Sequence, residues 1–250
     1  MLDLIETFFR GLNEQAGINL TILYDPFDRA RFWSGFLMTI WLAVTSVVAS
    51  IAIGVAGAAA QTSRIGPLRW FVDGYVAFFR NTPPLVQMYF FFFGLGSITP
   101  SVPDDMGFPV PLIGNVTWAI VALSLFAGAF NVEIFRSGLE AVPKGMTEAA
   151  TALGLPRFAI YQLVTLPLAF RICLPALNNN LVNLIKTTTL AYAIGVPEML
   201  YVSNQIWSDT LNVPEMMTVL LVLYIILVTL LVWAMHRWEK AMRLPGFGRR

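Results

Sequence analysis

Residues 143–175 read PKGMTEAATALGLPRFAIYQLVTLPLAFRICLP, a short polar interruption in an otherwise apolar chain. Glu148-Ala149-Ala150 begin a small-residue helical segment, and Gly154 stands where that segment must stop. A glycine there can take the left-handed conformation that ends a helix, and Pro156 just beyond cannot continue it. A second short helix is expected over about 157–164, leading through Leu166-Pro167 into the next apolar stretch. Two short helices meeting at a glycine corner, flanked by prolines, make a compact knob.

What surrounds the knob decides the class. Of the 250 residues 57% are apolar and 12% charged. Residues 32–63, 81–103, 106–132 and 216–235 contain no Asp, Glu, Lys or Arg. A hydrocarbon core of about 30 Å needs about 20 helical residues, which each of these windows supplies. None shows the polar stripe of a soluble amphipathic helix. The chain reads as an all-α, multi-pass membrane protein.

Outward from the knob, five spans are expected. They run over about 33–60, 84–95, 112–135, 163–185 and 216–235. The first is rich in Ala and Gly, which lets helices approach closely in lipid. Before it, Leu4, Ile5, Phe8, Phe9 and Leu12 share one helical face, the pattern of an interfacial helix; a packing arm against the bundle is the other reading. Residues 19–31 read as a connecting loop, as do 61–69 and the proline-rich 97–111. From Lys186 to Val213 the chain is too apolar for an ordinary loop and too broken for a span, so a re-entrant segment is expected. The domain reading is 1–31 for the N-terminal helix and loop, 32–237 for the transmembrane domain with the knob at about 143–167, and 238–250 for a tail. No repeat of 20–50 residues is apparent.

Lys and Arg set the orientation. Placing 61–80, 136–171 and the C-terminus in the cytoplasm collects twelve of the sixteen there and leaves Arg10, Arg29, Arg31 and Lys186 outside. That puts the N-terminus out and the C-terminus in, which five spans satisfy. Arg29 and Arg31 are the misfits, partly offset by Asp25 and Asp28. The net charge of +1 gives no reason to invoke nucleic acid. One cysteine, Cys173, excludes an intrachain disulfide and most metal sites. Met1 to Arg10 carries Asp3 and Glu6 and lacks the apolar core of a cleavable signal.

The polar residues within apolar stretches are the candidates for function. Two prolines after Arg80-Asn81-Thr82 remove backbone donors and force a helix to break or begin there. The break is either a plain start signal or part of a solute path that includes Asn81, Thr82 and Gln87. Polar groups in lipid are costly unless they face the bundle interior or a cavity. Asn179 and Asn183 lie four apart on one face, with Asn180 nearly on it, and Lys186 and Thr187 extend it by a turn. Amide groups donate and accept, and a lysine offers charge to a carboxylate, so Asn179, Asn183, Lys186, Thr187 and Thr188 suit a zwitterionic solute. Hydrogen bonding between helices would use the same residues. Glu133 and Arg136, at i and i+3, read as a helix-end ion pair. No phosphate-binding G-x-x-x-x-G-K-[ST] loop and no catalytic motif is present.

Glu148-Ala149-Ala150, three residues, Gly154, nine residues, then Val164-Thr165-Leu166-Pro167 resembles the EAA loop of bacterial ABC importer permeases. Val164 stands where that family usually has isoleucine. Glu133 to Leu139 followed by Val142-Pro143-Lys144-Gly145 resembles the polar amino-acid branch, the histidine/glutamine/arginine type. So do Arg80-Asn81-Thr82-Pro83 with Leu85-Val86-Gln87, and Lys186-Thr187-Thr188-Thr189-Leu190. The branch more often has Arg-Gly-Thr-Pro and Lys-Asp-Thr-Ser-Leu there. The resemblance covers about residues 32–237.

The resemblance implies a type I ABC importer permease fold. It implies a coupling role for Glu148, Ala149, Ala150, Gly154, Leu166 and Pro167, which seat in a cleft of a separate ATPase. It further implies two ATPase subunits that hold ATP and Mg, a second permease copy or paralogue, an external solute-binding protein and a bacterial inner-membrane location. No catalytic residue, metal site or bound cofactor is expected on this chain. The rival reading is a stand-alone secondary transporter driven by an ion gradient, whose paired broken helices and midplane ionisable residues are weakly represented. A scaffold without transport would leave the knob unexplained.

Overall fold

The computed structural model describes residues 2–242, so Met1 and residues 243–250 of the expected tail lie outside the described residues. The chain is helical almost throughout. In order come α1 (Leu2–Ala16), α2 (Thr21–Tyr24), α3 (Pro26–Gln61), α4 (Gly66–Asn81) and α5 (Pro84–Tyr89). A hairpin of β1 (Ser101–Pro103) and β2 (Pro109–Pro111) follows, then α6 (Asn115–Glu140), α7 (Lys144–Ala152) and α8 (Arg157–Ile160). The chain ends in α9 (Leu166–Thr187), α10 (Met199–Thr210) and α11 (Val213–Met242). Among the described residues four helical stretches are long and apolar enough to cross a membrane: 26–61, 115–140, 157–194 and 213–242. The remaining expected crossing, at about 84–95, falls on a shorter apolar helix, 84–98. It starts as α5, loosens into a π turn over Phe90–Leu95 and tightens into a 3₁₀ turn at Gly96–Ile98.

Four local expectations are corrected. Residues 19–31 are mostly helix, because Asp25-Pro26 is a helix start. Asp25 Oδ1 accepts from the amides of Phe27 and Asp28 at 2.8 and 3.1 Å, and Pro26 occupies a first-turn position that needs no N–H donor. The loop expected at 61–69 shrinks to 62–65. The proline-rich 97–111 folds as an antiparallel hairpin with Val102 opposite Val110. Its turn closes on Asp104, whose Oδ1 accepts from Met106 and Phe108. Finally, α8 does not end before Leu166-Pro167. A π turn over Tyr161–Thr165 carries it straight into α9, with the Leu166 amide reaching Tyr161 O. Such a turn absorbs the donor that proline lacks, so the helix continues.

The chain forms two compact units. The first comprises residues 1–45, 85–122 and 186–229. Its apolar cluster joins Phe32 of α3, Met199, Val202 and Ile206 of α10, and Met216 and Leu220 of α11. Ion pairs tie its polar end together: Arg29 to Glu6 at 2.9 Å, and Arg31 to Asp28 and Asp209 at 2.7 and 3.0 Å. The two arginines that fitted the charge pattern poorly are therefore each paired with at least one carboxylate. The segment expected to be re-entrant belongs here. A 3₁₀ turn over Thr188–Ile194 ends at left-handed Gly195, and buried Glu198 then starts α10 by accepting from the amides of Leu200 and Tyr201.

The second unit comprises 46–84, 123–185 and 230–250. Here α4 lies along the C-terminal part of α6. Val72 and Val76 pack on Val132, and the Tyr75 hydroxyl donates to Leu125 O at 2.6 Å. A buried polar chain crosses the unit. Asn180 Nδ2 donates to Ala127 O and Asn131 Oδ1 at 3.0 and 2.8 Å, and Asn131 Nδ2 donates to Ser50 Oγ at 3.2 Å. Polar side chains in lipid find their partners within the protein in this way.

Candidate functional site

The knob is built by backbone geometry. The amide of Gly154 donates to Thr151 O at 2.9 Å and that of Leu155 to Ala150 O at 3.2 Å. Those two bonds are the 5→2 and 6→1 pair of a Schellman motif, and they satisfy carbonyls that the end of α7 would otherwise leave open. Gly154 supplies the positive φ that the motif needs, +79°. Pro156 then starts α8 in extended conformation.

The knob's surface divides clearly. Ala150 faces inward and is buried, whereas Glu148 and Ala149 are exposed. Glu148 makes no ion pair among the described residues. Leu153 and Phe158 stand 81% and 75% exposed, and Tyr161, Leu163 and Leu166 continue the apolar surface. Large side chains left open on two short helices around a rigid corner have the form of a docking surface. Pro167 is exposed inside the continuous helix.

The expected solute-path residues fall in both units. In the second, Asn81 and Thr82 turn back on their own helix, donating to Ala77 O and Phe78 O at 2.7 and 2.8 Å. They close the last turn of α4 ahead of the double proline. Asn179 and Asn183 are exposed on one face of α9. Asn180 leaves that face and is buried in the polar chain described above. In the first unit Gln87 is buried and Lys186 exposed. Thr188 is fully buried, beside the Tyr224 hydroxyl and Thr39.

Glu133 and Arg136 pair as expected, at 2.9 Å, but the cluster is larger than two residues. Arg136 also holds Glu140 at 2.7 Å, and Arg80 lies 3.7 Å from Glu133 with its guanidinium over the Phe130 ring. Gln61 Nε2 donates to Asp73 Oδ1 at 2.8 Å. Gln61, Asp73, Glu133, Arg136 and Glu140 border a charged cavity of about 520 Å³ with Arg69 and Trp70. Asn131 and Ser50 were not singled out from the sequence, although an asparagine deep within a charge-free window is a signal that could have found Asn131. Among the described residues no three His, Cys, Asp or Glu side chains converge to hold a metal ion.

Comparison with known proteins places this geometry. Residues 50–244 match the family described as binding-protein-dependent transport system inner membrane component. The chain is 32% identical over 238 residues to the octopine transport system permease protein OccM of Rhizobium radiobacter, covering 88% of this chain and 94% of that one. It is 30% identical to the arginine transport system permease protein ArtQ of Bacillus subtilis, over 84% and 91% of the two chains. With the histidine/lysine/arginine/ornithine permease protein HisQ of Escherichia coli it shares 34% identity over 66% of this chain and 72% of that one. Among solved structures, one titled as an amino acid ABC transporter with histidines superposes with a TM-score of 0.75 at 26% identity, covering 85% and 94% of the chains. An inward-facing MetNI methionine ABC transporter structure shares the fold, with a TM-score of 0.59 at 23% identity.

Proposed function

Because this chain belongs to the family of binding-protein-dependent transport system inner membrane components, we propose that it carries polar amino acids or amino-acid derivatives as the permease of an ATP-driven importer. It is a multi-pass inner-membrane transport subunit and not itself an enzyme. ATP hydrolysis belongs to a separate ATPase, and the family's name states its dependence on a binding protein. The observation that carries the reading is the Schellman-cornered knob with its open apolar surface, in a chain whose relatives are named as permeases for octopine, arginine and histidine.

In this reading Glu148, Ala149, Ala150, Gly154, Leu166 and Pro167 receive the push of the ATPase. Exposed Glu148 offers charge to a basic partner side chain, and the small Ala149 permits close approach. Two ATPase subunits, a second permease copy or paralogue and one external binding protein complete the assembly. ATP and Mg reside on the ATPase. The reading puts the N-terminus outside and the C-terminus inside, the arrangement that the lysine and arginine distribution favours. Asn81, Thr82, Gln87, Asn179, Asn183, Lys186, Thr187 and Thr188 contribute to the solute path. Amides suit it because they meet both the ammonium and the carboxylate of an amino acid.

Purification of the tagged chain from its native membrane in mild detergent tests the assembly. An ATPase that co-purifies with the native chain, and is lost when residues 148–154 are replaced, supports the reading. A chain that purifies alone yet moves amino acids into vesicles without ATP overturns it. The path is tested separately. Asn179→Leu is expected to cut uptake roughly tenfold, the equivalent of about 1.4 kcal/mol, while basal ATP hydrolysis by the assembled complex stays near normal. Unchanged uptake would assign Asn179 to packing alone.

A further inference from the structure

Residues ahead of the family match, together with the start of α11 inside it, build a feature that the transport reading leaves unused. In the first unit, the stretch from Ile18 to Leu23 lies across the gap between the N-terminal halves of α3 and α11. Together they enclose a groove of about 790 Å³, within the range of about 300–1,000 Å³ typical of small-ligand sites. Its walls are hydrocarbon and aromatic, with Ile22, Phe32, Trp33, Phe36, Val219 and Leu223 among them. Two charged residues border it, Arg29 and Glu215.

We propose that this groove is a phospholipid site that takes an acyl chain along its apolar floor, with the phosphate at Arg29 and a zwitterionic head group's ammonium at Glu215. Three observations bear on the occupant. First, the walls offer almost nothing to a polar solute, whose own hydrogen-bonding groups would go unmet there, and water needs two to four polar partners to settle. Second, the groove opens onto an exposed apolar surface of a helix long and apolar enough to cross a membrane. Trp33 belongs both to the groove and to a stripe on α3 of Trp33, Leu37, Trp41, Val44 and Val48, each more than half exposed. These positions recur every three or four residues, so they form one outward face.

Third, the rim charges complement a zwitterionic head group. One Arg29 nitrogen holds Glu6 Oε1 at 2.9 Å, and a guanidinium has five N–H donors, which leaves others for a phosphate oxygen. Glu215 Oε1 accepts from the Asn19 amide at 3.1 Å, which keeps the carboxylate at the rim beside the arm. An acyl chain in the groove would thus fasten the N-terminal arm to the bundle. The site does not depend on the solute carried.

The assembled complex, purified in mild detergent, is delipidated stepwise, and retained phospholipid is counted per permease by native mass spectrometry. The native chain is expected to keep about one phospholipid after bulk lipid is gone. Val219→Trp and Val222→Trp, which fill the groove from α11, should each lower retention at least fivefold. Ile225→Trp, outside the groove on the same helix, should not. Arg29→Ala should weaken retention, and Arg29→Lys should restore part of it. A native chain that sheds all phospholipid as fast as bulk lipid overturns the proposal without reference to any variant. Equal loss in Ile225→Trp also overturns it. So does a disulfide between two copies carrying Trp33→Cys, since the groove would then face another permease. Transport assays on the same preparations keep this result separate from the proposed function: uptake by a complex that retains no lipid would remove only the lipid site.

Discussion

Gly154→Val will leave the chain inserted and folded but reduce ATP-driven uptake about tenfold or more, the weight that 1–2 kcal/mol of left-handed strain carries. The reason is backbone conformation and not space. A Cβ built on Gly154 meets nothing within 4 Å, yet φ stands at +79°. Valine, with two heavy atoms on Cβ, is poorly suited to that region. To relieve the strain the corner must open, which breaks the bonds from Gly154 to Thr151 O and from Leu155 to Ala150 O. Leu153 and Phe158 would then no longer be held at a fixed angle. A knob that gives under load cannot transmit a push.

The control is Gly154→Asn, because asparagine visits the left-handed region more readily than other non-glycine residues. It should retain most of the uptake that valine loses. The measurement is uptake per ATP hydrolysed in proteoliposomes, alongside the amount of ATPase that co-purifies. Equal activity in the native, valine and asparagine forms would remove the corner from the coupling mechanism.

The knob was legible because its conformation is local. Glycine after a small-residue helix, with a proline two residues on, specifies a helix end wherever it occurs. The long helices were legible for a similar reason, since charge-free length is read along the chain. What escaped depends on partners distant in sequence. Three successive asparagines, 178–180, spread around α9, and periodicity alone does not say which of them turns inward. Asn178 and Asn180 are both buried, Asn180 donating to Asn131 on α6, and Asn179 stays on the open face with Asn183. The start of α3 was misread for a different reason. Asp25-Pro26 carries both a turn signal and a helix-start signal, and the capping bonds to Phe27 and Asp28 settle it for the helix. The hairpin at 101–111 was hidden by prolines, which at an exposed two-stranded edge cost no ladder bond they would have had to make.

Close helix packing leads to the second large effect. Gly54→Ala, a single added methyl, is expected to destabilise the second unit by about 3 kcal/mol, the upper end of overpacking costs. A Cβ at Gly54 would come within 2.4 Å of Asn131 Cβ and 3.1 Å of the Asn131 backbone carbon. Neither atom can swing away by a rotamer change, so α3 and α6 must separate. Separation also strains the Asn131 to Ser50 bond, because both residues sit where the helices meet. Gly74 on α4 provides the contrast. A Cβ there meets nothing within 4 Å, and alanine replaces a poor helix former with the best, a gain of up to about 1 kcal/mol. Thermal unfolding of the purified complex, followed by loss of its monodisperse elution, should therefore show Gly54→Ala well below the native midpoint and Gly74→Ala at or above it. If the two substitutions behave alike, close approach at Gly54 is not what holds α3 against α6. If Gly54→Ala alone is unstable while Asn131→Gly placed beside it recovers part of the loss, the clash at that one crossing accounts for the effect, since removing the Asn131 Cβ takes away the nearest contact even as it forfeits the bonds to Ser50 and Asn180.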